Sequence, residues 1–229
     1  MEATNNVTQS CSDLQNNFGS LAFAFPQSLS EKYRPQTIAN FVGLEKPKRI
    51  LSKFVAKPYP SAWLFVGPSG VGKTSMAQAM CAEIKGELHH IPSQKCNAEA
   101  IENVCRVCHY LPFCPGGLHV VLIDEADRMT PAAQLALLSK LDATAFPPNT
   151  VFIFTANSTD GLEPRFLSRT RVIGFSSYGM ASEIAAYLDR VWHAEGGNGN
   201  TPDLVRLAKD SRNNVRDCLM NLETELMAI

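Results

Sequence analysis

The sequence lacks both a long apolar run and a strong excess of one charge. Lys and Arg number 21 and Asp and Glu number 22 among 229 residues, so the chain lacks the basic balance of a protein that binds nucleic acid by itself. No apolar stretch approaches the roughly 20 residues of a membrane-spanning helix. The short apolar run 21–25 follows no basic segment, which argues against a signal peptide. We therefore expect a soluble, intracellular protein, cytoplasmic or nuclear, with no membrane partner.

Cysteine is plentiful, but its pattern does not indicate disulfides. The count of seven is odd, which favours free thiols in an intracellular protein. Four thiols fall within nineteen positions: Cys96, Cys105, Cys108 and Cys114. Their C-x₂-C spacing permits zinc, with His109 as an alternative ligand. The surrounding helical periodicity favours buried apolar thiols over zinc, and a structural role is likewise favoured for the adjacent pair His89 and His90.

The most informative motif is the run 67–74, which matches G-x-x-x-x-G-K-[ST] and lies between an apolar stretch and a helical pattern. Its glycines let backbone N–H groups turn toward a polyphosphate, and the helix adds the positive end of its dipole. We expect Lys73 to reach the β- and γ-phosphates and Thr74 to ligate Mg²⁺. The predicted phosphate-binding residues are Gly67, Pro68, Ser69, Gly70, Val71, Gly72, Lys73, Thr74 and Ser75.

Two later apolar runs end in polar residues that suit the same chemistry. The run 118–123 reads as a strand buried on both faces and ends in Asp124 and Glu125. Asp124 can hold the Mg²⁺ shell, and Glu125 can polarise the attacking water. The run 151–155 leads to Asn157, which can face the γ-phosphate or simply start a turn. Beside the other two motifs, the phosphate-sensing interpretation is favoured.

Seven motifs occur in the order typical of one known family. They are Glu31-Lys32-Tyr33-Arg34-Pro35, Phe41-Val42-Gly43, the phosphate loop, Asp124-Glu125-Ala126-Asp127, Thr155-Ala156-Asn157, Ser168-Arg169-Thr170 and Asn214-Val215-Arg216. From about residue 30 to its C-terminus, the chain resembles the AAA+ ATPases of the clamp-loader clade. The strongest resemblance is to the small subunits of replication factor C and their archaeal and phage counterparts.

This resemblance implies roles for individual residues. The residues expected around the adenine are Tyr33, Arg34, Pro35, Val42 and Gly43. Asn157 matches the sensor of the γ-phosphate, and Arg216 matches a second sensor that reaches the nucleotide from the lid. Arg169 matches the arginine finger, which acts in the site of the neighbouring subunit. The family's usual triplet is Ser-Arg-Cys, whereas Thr170 stands third here, and Arg165 and Arg171 are rival fingers.

The expected fold class is α/β: a P-loop αβα sandwich with a central parallel sheet, followed by a small three-helix lid. We predict a disordered polar tail over 1–28, a nucleotide-binding core over 29–175 and a helical lid over 176–229. The helical collar domain that such subunits usually add has no counterpart here. A naturally minimal subunit and a truncated one are both compatible with this length.

The resemblance implies an ATPase that uses ATP and Mg²⁺ to drive conformational change in a replication or repair assembly. Its expected partners are other subunits, in a homo- or hetero-oligomer joined through the arginine-finger interface, and a sliding clamp with primed DNA. One alternative is a low-turnover scaffold or adaptor that binds ATP. The other is a helicase loader or mobile-element ATPase built on the same core.

Overall fold

The computed structural model describes residues 27–197 and 201–228. Almost all of the predicted tail, including the apolar run 21–25, lies outside the described residues. Within the described ranges, five parallel strands form one sheet: β1 (Ser61–Val66), β2 (Glu87–Pro92), β3 (His119–Asp124), β4 (Thr150–Ala156) and β5 (Arg171–Gly174). Their spatial order is β2-β3-β4-β1-β5.

Helices and short 3₁₀ turns connect and follow these strands. The helices are α1 (Leu29–Lys32), α2 (Glu45–Ala56), α3 (Lys73–Ile84), α4 (Ala98–Val107), α5 (Pro131–Lys140), α6 (Pro164–Arg169), α7 (Ala181–Ala194), α8 (Leu204–Asp210) and α9 (Val215–Met227). None of these helices combines the length and the apolar character that crossing a bilayer requires.

The three central strands β3, β4 and β1 are buried along almost their whole length because helices cover both faces of the sheet. In β1, Trp63 and Phe65 pack toward α2 and α3, whereas the alternate residue Leu64 packs toward α4, α5 and α6. The edge strand β2 instead alternates between half-buried and exposed residues. The expected αβα sandwich with a parallel sheet is thereby confirmed.

Helices α7, α8 and α9 have an apolar cluster of their own, which contains Trp192, Leu188, Leu219 and Leu222. The short helix α1 contributes Leu29 to this cluster. The predicted core range 29–175 therefore starts with a residue that packs against the C-terminal helices. The sequence could not predict this placement, because the periodicity of a four-residue helix does not indicate which apolar cluster its one buried side chain joins. A lid function for these helices stays a prediction.

Candidate nucleotide-binding site

The loop 67–72 leaves the end of β1 and turns directly into α3. Gly70 and Gly72 have φ values of 76° and 91°, in the left-handed region that favours glycine. At Gly67, an added Cβ would lie 2.1 Å from the carbonyl oxygen of Phe175. The first N–H groups of α3 have no partner within the helix, so the loop and helix together form an anion-binding end.

Lys73 joins this loop to the end of β4. Its Nζ donates hydrogen bonds to the carbonyl oxygens of Gly67 at 2.7 Å and Pro68 at 2.8 Å, and to Oδ1 of Asn157 at 3.1 Å. Burial lowers the pKa of Lys73, and the carboxylates of Asp127 and Asp124 oppose this effect. The ammonium group of Lys73 thus donates to three protein oxygens, and phosphate oxygens of a bound nucleotide could take their place.

Asp124, at the end of β3, accepts two hydrogen bonds on one carboxylate oxygen. Thr74 Oγ1 donates to Asp124 Oδ1 at 2.8 Å, and Thr155 Oγ1 donates to the same oxygen. Thr74 and Asp124 therefore adjoin, as expected of a shared Mg²⁺ environment, and their oxygens suit this hard cation. Thr155 belongs to the Thr155-Ala156-Asn157 motif, but no role was predicted for it from the sequence. Its place beside Asp124 follows from the strand register, in which Ile123 of β3 pairs with Phe154 of β4.

Glu125 has a left-handed backbone, with φ 53° and ψ 47°, which is uncommon for a residue with a side chain. Its N–H donates to Thr155 Oγ1 at 3.1 Å, so the same threonine fixes both members of the acidic pair. The Glu125 carboxylate lies 3.2 Å from Nη1 of Arg128. Two further neighbours were missed: Arg128, and His90, whose Nε2 lies 3.9 Å from Asp124 Oδ2.

Two adjoining cavities share the phosphate loop. The polar cavity is lined by the phosphate-loop and strand-end residues Ser69, Lys73, Thr74, Asp124, Glu125 and Asn157. The apolar cavity is lined by Tyr33, Arg34, Pro35, Val42, Val71 and five residues that were not predicted as site residues, Ser30, Phe41, Tyr187, Val215 and Leu219. Gly70, Gly72, Ser75 and Arg216 line both. One cavity suits a triphosphate and the other a flat apolar base.

Arg216 reaches this junction because α9 begins against the phosphate loop. Asn214 caps α9, accepting hydrogen bonds on Oδ1 from the N–H groups of Arg216 at 3.1 Å and Asp217 at 3.3 Å. A Cβ added to Gly70 would lie 1.9 Å from that same Oδ1. The close contact between Gly70 and Asn214 thus fixes where Arg216 enters the site.

Gly43, expected around the adenine, does not line the apolar cavity itself but lines an adjoining cavity together with Tyr33, Arg34, Pro35 and Val42. It has φ 58°, and an added Cβ would lie 2.4 Å from Cε of Met180. Its place is therefore at the contact with the start of α7. Gly67 and Pro68 contribute the carbonyl oxygens that hold Lys73 instead of lining either cavity.

The three candidate finger arginines line neither cavity. Arg169 Nη2 lies 3.5 Å from Asp142 Oδ2, and its Nη1 donates to the carbonyl oxygen of Arg165 at 3.2 Å. The guanidinium of Arg171 lies over the rings of Tyr59 and Trp63, at 5.1 and 5.4 Å from their centroids. Within one chain these arginines and the nucleotide site are therefore separate.

The four-cysteine zinc alternative is wrong. Cys96 donates to Sδ of Met129 at 3.7 Å, and Cys114 donates to the carbonyl oxygen of Leu118 at 3.5 Å. In the described parts of the chain, no three of the four thiols lie within metal-binding distance of one another. The C-x₂-C spacing reflects helix packing, because Cys105 and Cys108 are buried in the same apolar cluster as Cys96.

The fold and site together define a P-loop nucleotide-binding protein: a parallel sheet whose strand ends carry a glycine-rich loop with lysine and threonine, and an acidic pair. Residues 63–178 match the family of ATPases associated with various cellular activities (AAA). The chain belongs to this family, which confirms the resemblance. Membership implies the use of a nucleotide and Mg²⁺.

Among curated relatives, replication factor C small subunit 2 of Pyrobaculum aerophilum is 39% identical over 153 residues, which is 64% of this chain and 47% of the relative. The replication factor C small subunit of Thermoplasma volcanium is 31% identical over 64% of this chain and 48% of the relative. The match thus spans about half the length of these proteins.

Among solved structures, the RuvB Holliday junction branch migration motor of Thermotoga maritima superposes with a TM-score of 0.70. The match covers 83% of this chain and 64% of that chain, at 20% identity. At this identity the likeness supports the fold alone.

Proposed function

We propose that this AAA protein binds ATP with Mg²⁺ and hydrolyses it, as a subunit similar to a clamp-loader small subunit. Lys73 would hold the β- and γ-phosphates, and Thr74 and Asp124 the Mg²⁺ shell. Glu125 would polarise the attacking water, and Asn157 and Arg216 would contact the γ-phosphate side. When bound, Mg²⁺ would neutralise charge that develops on the phosphate oxygens.

One observation carries this proposal. The phosphate-loop hydroxyl of Thr74 donates at 2.8 Å to Asp124, and Glu125 and Asn157 line the same cavity. The groups that would hold a metal–triphosphate and those that would orient water therefore occupy one small volume. Such an arrangement suits phosphoryl transfer to water, in which positioning and charge stabilisation supply most of the catalysis.

We further propose that residues 29–175 form the nucleotide-binding core and that α7, α8 and α9 act as its lid. Support comes from Arg216, which lines both cavities from α9. A nucleotide held by both parts would set the angle between them, as in hinge closure. In an oligomer joined through Arg169, this motion would act on a sliding clamp and primed DNA.

The test is steady-state ATP hydrolysis by the purified chain, alone and with primed DNA and a sliding clamp. We expect Glu125→Gln to abolish turnover while a fluorescent ATP analogue still binds. Lys73→Ala, the matched control, should lose binding as well. Turnover by Glu125→Gln at the wild-type rate would remove this residue from the proposed role.

One observation favours the scaffold or adaptor alternative. The Glu125 carboxylate is paired with Arg128 at 3.2 Å, so part of its charge is directed away from a nucleophilic water. Arg128→Ala separates the two functions, because an ATPase should keep or raise its turnover. If the wild type and Arg128→Ala both bind ATP tightly but hydrolyse it negligibly, with and without DNA and clamp, the adaptor function would be supported. If ATP hydrolysis is stimulated by a DNA other than primed DNA and does not respond to the sliding clamp, the helicase-loader or mobile-element alternative would be favoured.

A further inference from the structure

A second cluster of ligand-type side chains lies at the opposite end of the sheet from Asp124. Glu87 and His119 are register partners at the start of β2 and β3, and His89 follows on the same face of β2. The Cys108 thiol, at the end of α4, completes the cluster. One ligand atom from each of His89, Cys108 and His119 lies within 4.8 Å of the other two.

The spacing of the two imidazoles suits a common metal ion. His89 Nε2 lies 3.0 Å from His119 Nδ1. Two nitrogens bound tetrahedrally to Zn²⁺ at about 2.0–2.1 Å lie about 3.3 Å apart. A shift of a few tenths of an ångström would therefore admit the ion. In its absence, a hydrogen bond between the rings satisfies both nitrogens.

The other nitrogen of His119 indicates how this ring is held. Nε2 lies 2.9 Å from the carbonyl oxygen of Tyr110, an acceptor that requires Nε2 to carry the proton. The lone pair of Nδ1 is thereby directed at the cluster. A backbone carbonyl that fixes the tautomer of a histidine is the usual outer contact of a metal ligand.

The remaining groups complete a zinc-like donor set. His119 and Cys108 are 1% and 0% exposed, so a bound ion would be shielded from water. The Glu87 carboxylate lies 3.9 Å from His89 Nε2 and 3.8 Å from His119 Nδ1, within reach of a fourth position. Two imidazoles, a thiolate and a carboxylate favour Zn²⁺ over the oxygen-seeking Mg²⁺.

We propose that His89, Cys108 and His119, with Glu87 as the fourth ligand, form a structural Zn²⁺ site separate from the nucleotide site. The ion would join the end of α4 to the starts of β2 and β3. It would also anchor the intervening loop, in which Tyr110, Leu111 and Phe113 are exposed. This set shares only Cys108 with the four cysteines considered from the sequence.

The test uses the purified full chain, treated with a chelator and titrated with Co²⁺ in excess Mg²⁺. We expect stoichiometric binding, tetrahedral ligand-field bands in the visible range and one thiolate-to-cobalt charge-transfer band. Zn²⁺ should displace the Co²⁺ and raise the melting temperature. Because the nucleotide site offers no thiol, the charge-transfer band distinguishes the two sites.

Cys108→Ser should abolish this band, whereas Cys114→Ser, the matched cysteine control, should keep it. His89→Gln alters the half-buried ligand, and should weaken Co²⁺ binding at least tenfold; the exposed His193→Gln is its control. Circular dichroism checks that each variant is folded. Absence of the band in the wild type would overturn the proposal. Its survival in Cys108→Ser, or unchanged affinity in His89→Gln, would do so too.

Discussion

At the scale of single residues, Thr155 decides how the acidic pair is presented. It donates to Asp124 and accepts from the N–H of Glu125, and it is almost fully buried. A residue with no direct place in the proposed chemistry thus orients both groups that have one.

We expect Thr155→Val to raise the Mg²⁺ concentration needed for half-maximal nucleotide binding about tenfold, since a hydrogen bond to a charged group contributes about 1.5–3 kcal/mol. Valine keeps the shape of threonine and replaces its hydroxyl with a methyl group. Thr155→Ser, which keeps the hydroxyl, is the control. A magnesium titration monitored with a fluorescent ATP analogue measures the effect, and equal midpoints for Val and Ser would contradict it.

Tyr33 ties the start of the described chain to the end of α7. Its hydroxyl donates to Glu195, which also pairs with Lys32 at 2.8 Å. Burial and the Glu195 carboxylate raise the pKa of Tyr33 to about 12. Lys32 and Tyr33 hold the pKa of Glu195 below its usual value. The contact therefore requires a neutral phenol and a charged carboxylate.

Tyr33→Phe should lower the free energy of unfolding by about 1 kcal/mol at pH 7. Because the folded-state pKa of Tyr33 is raised, this difference from wild type is complete below pH 10 and is lost as the pH rises toward about 12. The folded-state pKa of Glu195 is lowered. The stability difference between wild type and Tyr33→Phe is therefore also lost as the pH falls through the folded-state pKa of Glu195. Urea unfolding of wild type and Tyr33→Phe at a series of pH values measures this stability difference. The exposed Tyr178→Phe should show no such pH-dependent difference.

At the scale of elements, the contact between the phosphate loop and α9 couples two parts of the fold. Gly70 has a left-handed backbone, and the atoms nearest to its missing Cβ belong to Asn214, the N-cap of α9. The loop therefore needs glycine for both conformation and space. Gly117 offers a comparison, since it has φ 61° and no neighbour within 4 Å of an added Cβ.

We expect Gly70→Ala to destabilise the protein more than Gly117→Ala, whose cost of about 1–2 kcal/mol reports the left-handed backbone alone. Asn214→Ala should cost about 1 kcal/mol through its lost cap. The double variant Gly70→Ala, Asn214→Ala should cost less than the sum, because the second change removes the clashing side chain. Urea unfolding gives all four values, and simple additivity would show that the contact is unimportant.

At the scale of the whole molecule, Arg169 lines neither of the two nucleotide cavities of its own chain and is paired with Asp142. If Arg169 is an arginine finger, it has to reach a nucleotide bound to another subunit. The exposed pairing is weak and would be exchanged for phosphate contacts on assembly. The geometry of one chain is thus consistent with action between subunits.

For a homo-oligomer, we expect mixing Arg169→Ala with Glu125→Gln, each inactive alone, to restore part of the ATPase activity. The first variant keeps Glu125 and the second supplies Arg169 to its neighbour. Mixing Lys73→Ala with Glu125→Gln is the matched control and should restore nothing, because neither variant has a working site. No recovery in the first mixture, with assembly intact, would contradict action between subunits.

The fold class and the three strand-end motifs could be predicted because their signals are local. Strand β3, which ends at Asp124, and strand β4, which ends just before Asn157, are mostly apolar, and Lys73 begins a helix directly after a glycine-rich turn. The four-cysteine set shows the limit of spacing as evidence, because the interval between cysteines along the chain does not say which side chains the fold places next to them.

The amino-acid sequence by itself determined the parallel sheet, the phosphate loop and the acidic pair, since apolar runs and glycines act on neighbouring residues. Only the tertiary structure decided which distant residues meet. The strand order β2-β3-β4-β1-β5 brings Thr155 to Asp124 and His119 to His89. Packing of α9 brings Arg216 to the loop. These contacts depend on register and helix packing, and local periodicity carries no information about either.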